Sequence, residues 1–426
     1  MLVSFRVENF KSFKDLTEFS MEATKLKNLK ESNTYNINNI SLLKSAVIYG
    51  ANASGKSSLL DAMTGIKSIV KNSISIEKME KYPALPFLLN SQTEDKESFF
   101  EIEFIVEEII YRYGFEIATN SIILKEWLFQ KKLQPKARES RLFQREKQTI
   151  TLGATFKEGK GLDSKTRENT LFLSVVAQFN GIISRNIIEW FNQFNIISNI
   201  KSDEFKYNSF DKLEDEEFKD KIVTLIKSAD IGIYDIAKRK ISFDELKIED
   251  DKAEKLPEFL IKELKENGLS TIETKHMQYN EDNSFIGLKS FDLDFESDGT
   301  QKLLALSAPI IETLLKGEIL VIDELDNSMH TELVYAIIKL FNSKETNPNK
   351  AQLIFTTHDT NLLNQKLFRR DQIWFTQKDI YGVSELYSLV EYGKGKTRDD
   401  LVLEKNYLDG KFGGVPHIDA LEYEVE

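Results

Sequence analysis

The apolar positions change their period along the chain, and each change marks an element. MLVSFRVENF alternates apolar and polar positions, as a half-buried strand does. TEFSME follows, and SAVIYG at 45–50 is a short continuous apolar run, the form of a strand buried on both faces. From Lys56 to Lys71 the period becomes helical, with Leu59, Leu60, Met63, Ile66, Ile69 and Val70 on one stripe. Between 99 and 153 the strand pattern returns in FFEIEFIVEE, IIYRYGFEIA, SIILKEWLFQ and KQTITLG, which reads as an antiparallel meander. From Thr166 to about Gly268 the pieces LFLSVVAQF, IIEWFNQF, KDKIVTLIKSA and LPEFLIKEL read as helices between charged stretches, with one strand-like interruption near KISFDEL. TIETKHMQYN and SFIGLKSFDLDF alternate once more. They lead into a helix (QKLLALSAPIIETLLKG), a strand (EILVIDE), a helix (ELVYAIIKLF), a strand (AQLIFTTH) and two last strands (QIWFTQ and SELYSLVEY).

This order predicts an α/β nucleotide-binding core split by a long insertion. The expected parts are 1–160, carrying the first strands and the meander, an inserted helical lobe at 161–270, and a C-terminal part at 271–426.

Composition narrows the chemistry. Cys is absent, which removes disulfides, thiolate metal sites and Cys nucleophiles together. The four His, at 276, 330, 358 and 417, show no metal-ligand spacing. A formal charge of −12 argues against a surface coated in nucleic acid, though it permits local basic patches. The apolar runs are broken by charge well short of the roughly 20 residues that span a bilayer. The N-terminus is an alternating strand and not a signal peptide. The expectation is a soluble, cytoplasmic protein with no membrane partner.

The strongest motif is GANASGKSS at 50–58, between a buried strand and an amphipathic helix. It fits the phosphate-binding pattern G-x-x-x-x-G-K-[ST]. Gly50 and Gly55 let the backbone curl, so that the amides around Asn52, Ala53, Ser54 and Ser58 face phosphate oxygens. Lys56 would neutralise the β- and γ-phosphates, and Ser57 would ligate Mg2+. EILVIDELD at 318–326 is an apolar strand ending in two carboxylates. Asp323 suits Mg2+, and Glu324 suits the general base that activates water. IFTTHD at 354–359 delivers Thr357 and His358 to the same sheet edge, where ligands bind in open α/β folds. His358 there reads as a γ-phosphate sensor, whereas His330 reads as a loop residue. ESDGTQKLLAL at 296–306 puts Ser297 and Gly299 at a helix N-terminus, which is either an ordinary cap or an anion site without a lysine.

These motifs resemble the ABC-type ATPase heads of the SMC, RecF and OLD branch. The closer similarity is to the AAA15 family of bacterial phage-defence ATPases, which includes the abortive-infection ATPases RloA and AbiLi and the ATPase of the PARIS system. VENFKSF and GANASGKSS carry the similarity at the start and RENTLFLSVVAQFN in the middle. ESDGTQKL, VIDELDNSMH, AQLIFTTHDTNLL, RRDQIWF and YLDGKFGGVP carry it to the C-terminal half. The resemblance implies an ABC-type P-loop ATPase head with an N-terminal β-meander and an inserted helical lobe, and ATP and Mg2+ as cofactors. It also implies a homodimer or higher homo-oligomer closed around ATP. Ser297 and Gly299 would then be the signature that touches the partner's γ-phosphate, and Asp326 to Ser328 the loop linking two sites. The usual signature L-S-G-G-Q is altered here: Glu296 replaces Leu, Asp298 replaces the first Gly, and Gln301 falls one place late. Gln92 is the one candidate for a Q-loop glutamine.

OLD nucleases carry a Toprim domain after the ATPase, whereas here 68 residues follow His358 without a visible two-metal acidic cluster. The implied function is an ATPase sensor or scaffold of an anti-phage abortive-infection system, controlling a separately encoded effector, a Toprim- or RloB-like nuclease. The alternative is a RecF- or SMC-like ATPase acting directly on DNA. Its support is KKLQPKARESRLFQREK at 131–147, with seven Lys or Arg against two Glu, which reads either as a solvated hairpin or as a nucleic-acid contact.

Overall fold

The computed structural model describes residues 1–38, 40–75, 85–198, 212–229, 232–241, 243, 264–266, 268–391 and 402–415. In chain order the first strands are β1 (Leu2–Glu8), β2 (Thr17–Ser20), β3 (Thr34–Ile37), β4 (Ile40–Leu43), β5 (Ser45–Gly50) and β6 (Ser98–Val106). They are followed by β7 (Ile109–Ile117), β8 (Ile123–Lys132), β9 (Ser140–Glu146), β10 (Thr149–Leu152), β11 (Phe194–Ile197) and β12 (Ile233–Ile241). The last are β13 (Leu269–Tyr279), β14 (Phe285–Asp292), β15 (Ile319–Ile322), β16 (Gln352–Thr356), β17 (Ile373–Lys378) and β18 (Ser384–Ser388). The helices used below are α1 (Lys56–Asn72), α2 (Phe172–Gln178), α3 (Ile182–Asn192), α4 (Glu216–Ser228), α5 (Asp298–Lys316), α6 (Thr331–Asn342) and α7 (Leu403–Leu408).

The chain divides into two compact units. The first comprises Met1–Ser198, Thr313–Asp326 and Val334–Glu426, and it holds two large sheets beside the two-stranded β3-β4 ribbon. One runs β11-β15-β16-β5-β17-β18 and is parallel throughout except for its last strand. β5 lies inside it, buried at every position, which is why SAVIYG carries no polar alternation. The other sheet is antiparallel, in the order β10-β9-β8-β7-β6-β1-β2, and its β6–β10 portion is the meander that the period-two pattern predicts. The apolar stripe of α1 is buried as expected and shares one core with inward residues of both sheets, among them Phe5, Ile48, Phe100, Phe115 and Val321. The α/β core that the sequence predicts is this arrangement of a largely parallel sheet, helix α1 and an antiparallel sheet.

Residues 161–198 fall within this first compact unit, so the second unit begins at Asn199 and not at 161. Leu171, Phe172, Val176, Trp190 and Phe191 are buried in its core. A buried charge pair fixes the segment. Glu126 accepts the first amides of α2, Phe172 N at 2.6 Å and Leu173 N at 3.0 Å, and the Tyr113 hydroxyl at 3.0 Å. Arg145, 3.8 Å from Glu126, donates to the carbonyls of Thr170 and Arg167. The end of IIEWFNQF is strand and not helix: α3 stops at Asn192 and β11 pairs in parallel with β15. A four-residue segment such as FNII cannot be told from a helical one by period alone.

The second unit, Asn199–Glu312 with Asn327–Leu333, has its own core around Ile222, Ile226, Ile236, Ile272, Leu293 and Leu304. Its helix α4 is capped by Asp215, whose carboxylate accepts the amides of Glu217 and Phe218. It also holds a three-stranded antiparallel sheet, β12-β13-β14. β13 and β14 are the alternating segments of the sequence, whereas β12, paired with β13, lies between the expected helices and ends on the first two residues of the strand-like KISFDEL stretch. All but the last residue of the helix expected at LPEFLIKEL, and most of the KISFDEL interruption, lie outside the described residues.

Candidate functional site

Three strand ends of the parallel sheet build one site in the first unit. After β5 the chain turns through Ala53 and Gly55, both at positive φ (59° and 120°), and enters α1 at Lys56. A side chain on Gly55 would overlap the Ser384 hydroxyl, so glycine is required there by both space and backbone. The loop is braced from β17 and β18. Ser54 Oγ and Thr376 Oγ1 share a 2.5 Å hydrogen bond, and Ser384 Oγ donates to Ser54 O at 2.7 Å. Asn52 and Ala53 are exposed, Ser54 and Gly55 are buried, and Ser58 is half-buried on the first turn of α1.

Lys56 is buried, and its ammonium donates to the carbonyls of Gly50 (2.8 Å) and Ala51 (3.1 Å). Burial lowers its pKa, opposed by the carboxylates of Asp323, Glu324 and Asp326. Its charge is thus stored on the loop that a triphosphate would fill. Ser57 Oγ donates to Asp323 Oδ2 at 3.0 Å, joining the loop to the end of β15. The other Asp323 oxygen accepts from Thr356 Oγ1 at 2.5 Å, and the same hydroxyl accepts the Glu324 amide at 2.7 Å. Glu324 has φ 48°, a left-handed conformation that costs a non-glycine residue about 1–3 kcal/mol and is held here by the bond of its amide to Thr356.

His358 follows β16. Its amide donates to Asp326 Oδ2 at 3.1 Å, while Asp326 Oδ1 is buried with no partner among the described residues. Partial burial and the nearby Lys56 ammonium hold the imidazole below its usual 6.5, favouring the neutral ring. Thr357 is buried and turns inward, accepting the Asp359 amide.

The structure thus brings Gly50, Asn52, Ala53, Ser54, Gly55, Lys56, Ser57, Ser58, Asp323, Glu324, Asp326 and His358 together at one sheet edge. Ser297 and Gly299 belong to the second unit. There Ser297 caps α5, its hydroxyl accepting the Thr300 amide at 3.2 Å. A side chain on Gly299 would collide with Ser328 O, so the helix start and the 327–333 loop are in close contact. Lys302 Nζ donates to Asn327 O across the same contact. His330 Nδ1 accepts the Glu332 amide at the start of α6, which is a local structural role. Gln92 lies exposed in a turn, with its amide on Asn90 Oδ1.

Sequence reasoning missed Thr356, which ties both acidic residues to the His358 strand. The two threonines of IFTTHD alternate in direction, and the signal lay in that alternation. It also missed the brace of Thr376 and Ser384, which no local pattern announces.

A phosphate loop opening a helix, facing a strand that ends in Asp-Glu and a third that ends in His, defines a P-loop ATPase of the ABC type. The chain belongs to the family AAA_21, described as "AAA domain, putative AbiEii toxin, Type IV TA system", whose pattern matches residues 45–364. No curated protein matches the chain. Among solved structures it is similar to the SMC head domain from Thermotoga maritima, at 13% identity and a TM-score of 0.38, over 91% of this chain and 98% of that one. Among the described residues, no helix is long and apolar enough to cross a membrane.

Proposed function

We propose that this chain binds and hydrolyses ATP with Mg2+, and that two copies close around the nucleotide. The observation that carries this is the convergence of Lys56, Ser57, Asp323, Glu324 and His358 at one sheet edge, with Ser57 Oγ only 3.0 Å from Asp323. Serine and aspartate oxygens at that spacing fit a hard divalent cation. When bound, Mg2+ would neutralise charge between the β- and γ-phosphates. Ser57 and Asp323 would hold it, Lys56 would leave its two carbonyls for the phosphates, and the amides of α1 would face the same anion. Glu324 would take a proton from the attacking water, and a neutral His358 would donate to a γ-phosphate oxygen. Ser297 and Gly299 of a second copy would complete the site at the start of α5.

On this reading the chain is the sensor or scaffold of an anti-phage abortive-infection system, controlling a separately encoded Toprim-like nuclease. The toxin–antitoxin wording of the family description supports a role in such conflict systems. The DNA-acting alternative loses part of its basis, because Arg145 of the 131–147 hairpin is buried and committed to backbone carbonyls.

The test is Mg-ATP hydrolysis by the purified chain beside Lys56→Ala. Turnover that disappears in Lys56→Ala is expected. Equal turnover by both proteins would place the phosphate site elsewhere. Co-purification with the neighbouring gene product tests the effector: a nuclease that co-elutes supports control in trans, and a neighbour that never associates contradicts it.

A further inference from the structure

The aromatic, glycine-rich stretch YLDGKFGGVP has no part in the site as described so far. It packs directly against the start of the phosphate loop. Tyr407 of α7 stacks on Phe375 (5.3 Å between ring centroids) and lies 5.8 Å from the ring of Tyr49, the residue before Gly50. The Tyr407 hydroxyl donates to Gly414 O at 3.0 Å, and the Tyr387 hydroxyl to Phe412 O at 2.6 Å. These bonds hold a turn in which Gly413 and Gly414 both have positive φ, 70° and 67°. A side chain on Gly414 would stand 3.2 Å from Thr376 O and 3.8 Å from Gly50 Cα. Thr376 is also the residue that braces Ser54. Together the turn and the loop enclose a cleft of about 240 Å3 whose walls include Asn52, Ser54, Gln377 and Gly414.

We propose that Gly413 and Gly414 are positioning residues for nucleoside triphosphate binding, with the C-terminal turn clamping the base of the phosphate loop. This rests on the nucleotide-site reading above. The loop is otherwise tethered by Ser54–Thr376 and Ser384, and its first residue, Gly50, lies against Thr376 with Gly414 beside it. Displacing the turn would shift Gly50 and the carbonyls that store the Lys56 ammonium.

Gly161 supplies an internal control away from the cleft. Its φ is 77°, close to the 67° of Gly414, and a side chain there meets nothing within 4 Å. Gly161→Ala and Gly414→Ala therefore carry similar backbone strain, and only the second crowds Thr376 O, on the residue that braces Ser54. The full-length proteins are titrated with Mg-ATPγS, with thermal unfolding measured without nucleotide. Gly414→Ala should weaken binding by about tenfold or more, as small misplacements of a site do. Gly161→Ala should stay within about twofold of wild type while losing a similar amount of thermal stability. Equal affinities in the two variants would overturn the proposal. If Gly414→Ala fails to fold, Tyr407→Phe replaces it, keeping the ring stack and removing the bond to Gly414. It too should bind more weakly, and wild-type affinity in folded Tyr407→Phe would overturn the proposal. Lys56→Ala separates the two readings. If it binds like wild type, the nucleotide site itself is wrong. If it alone loses binding, the site stands and the clamp does not.

Discussion

At the residue scale the account turns on a few atoms between β15 and β16. Thr356 Oγ1 donates to Asp323 and accepts from Glu324 N, so one hydroxyl sets both acidic groups. Thr356→Val keeps the shape and removes the hydroxyl. It should lower kcat by roughly tenfold, the worth of one or two such bonds, whereas Thr356→Ser should restore it. Steady-state hydrolysis measures both, and full activity in the valine variant would show that the acids need no such support. Glu324→Gln should cost about 10²–10⁴-fold in kcat, the usual share of a general base, while Mg-ATP binding persists. Wild-type turnover would remove Glu324 from that role. His358 gives a test by pH. Its folded-state pKa is lowered, so the folded protein takes up this proton at lower pH than the unfolded chain does. Stability from the neutral ring is therefore lost as pH falls below about 6.5. An NMR titration of the nucleotide-free protein should place the His358 midpoint below 6.5, and a midpoint above it would contradict the environment described.

At the element scale the internal ties of the first unit explain what the sequence showed and what it concealed. The phosphate loop, the acidic strand and the His strand were legible because each motif is contiguous and sits between a buried strand and a turn or helix. β11 was not legible: FNII becomes a strand only by pairing with β15, more than a hundred residues away. The brace from Thr376 and Ser384 was hidden for the same reason. RENTLFL shows the opposite case, a contiguous motif whose role is structural. Its amides and carbonyls are taken by Glu126 and Arg145 from the meander. Glu126→Ala would leave Arg145 buried without its counter-charge and should cost about 3–5 kcal/mol. Urea unfolding of the purified variant measures that loss, and a change below 1 kcal/mol would mean the pair holds little.

At the scale of the whole molecule, the residues proposed for catalysis and those proposed for the signature fall in different compact units. The first unit holds the phosphate loop and both acids, and the second holds Ser297 and Gly299. On the proposed reading each completed site draws on two copies. Ser297→Arg should then bind ATP on its own phosphate loop yet fail to hydrolyse it, because its bulky cation obstructs the site that serves the partner. Lys56→Ala should fail for the complementary reason. The decisive measurement is the hydrolysis rate of an equimolar mixture of these two inactive proteins. Random pairing leaves one intact site in each mixed dimer, so about a quarter of the wild-type rate should return. A mixture no more active than either protein alone, with both folded and Ser297→Arg still binding ATP, would contradict a site shared between two copies.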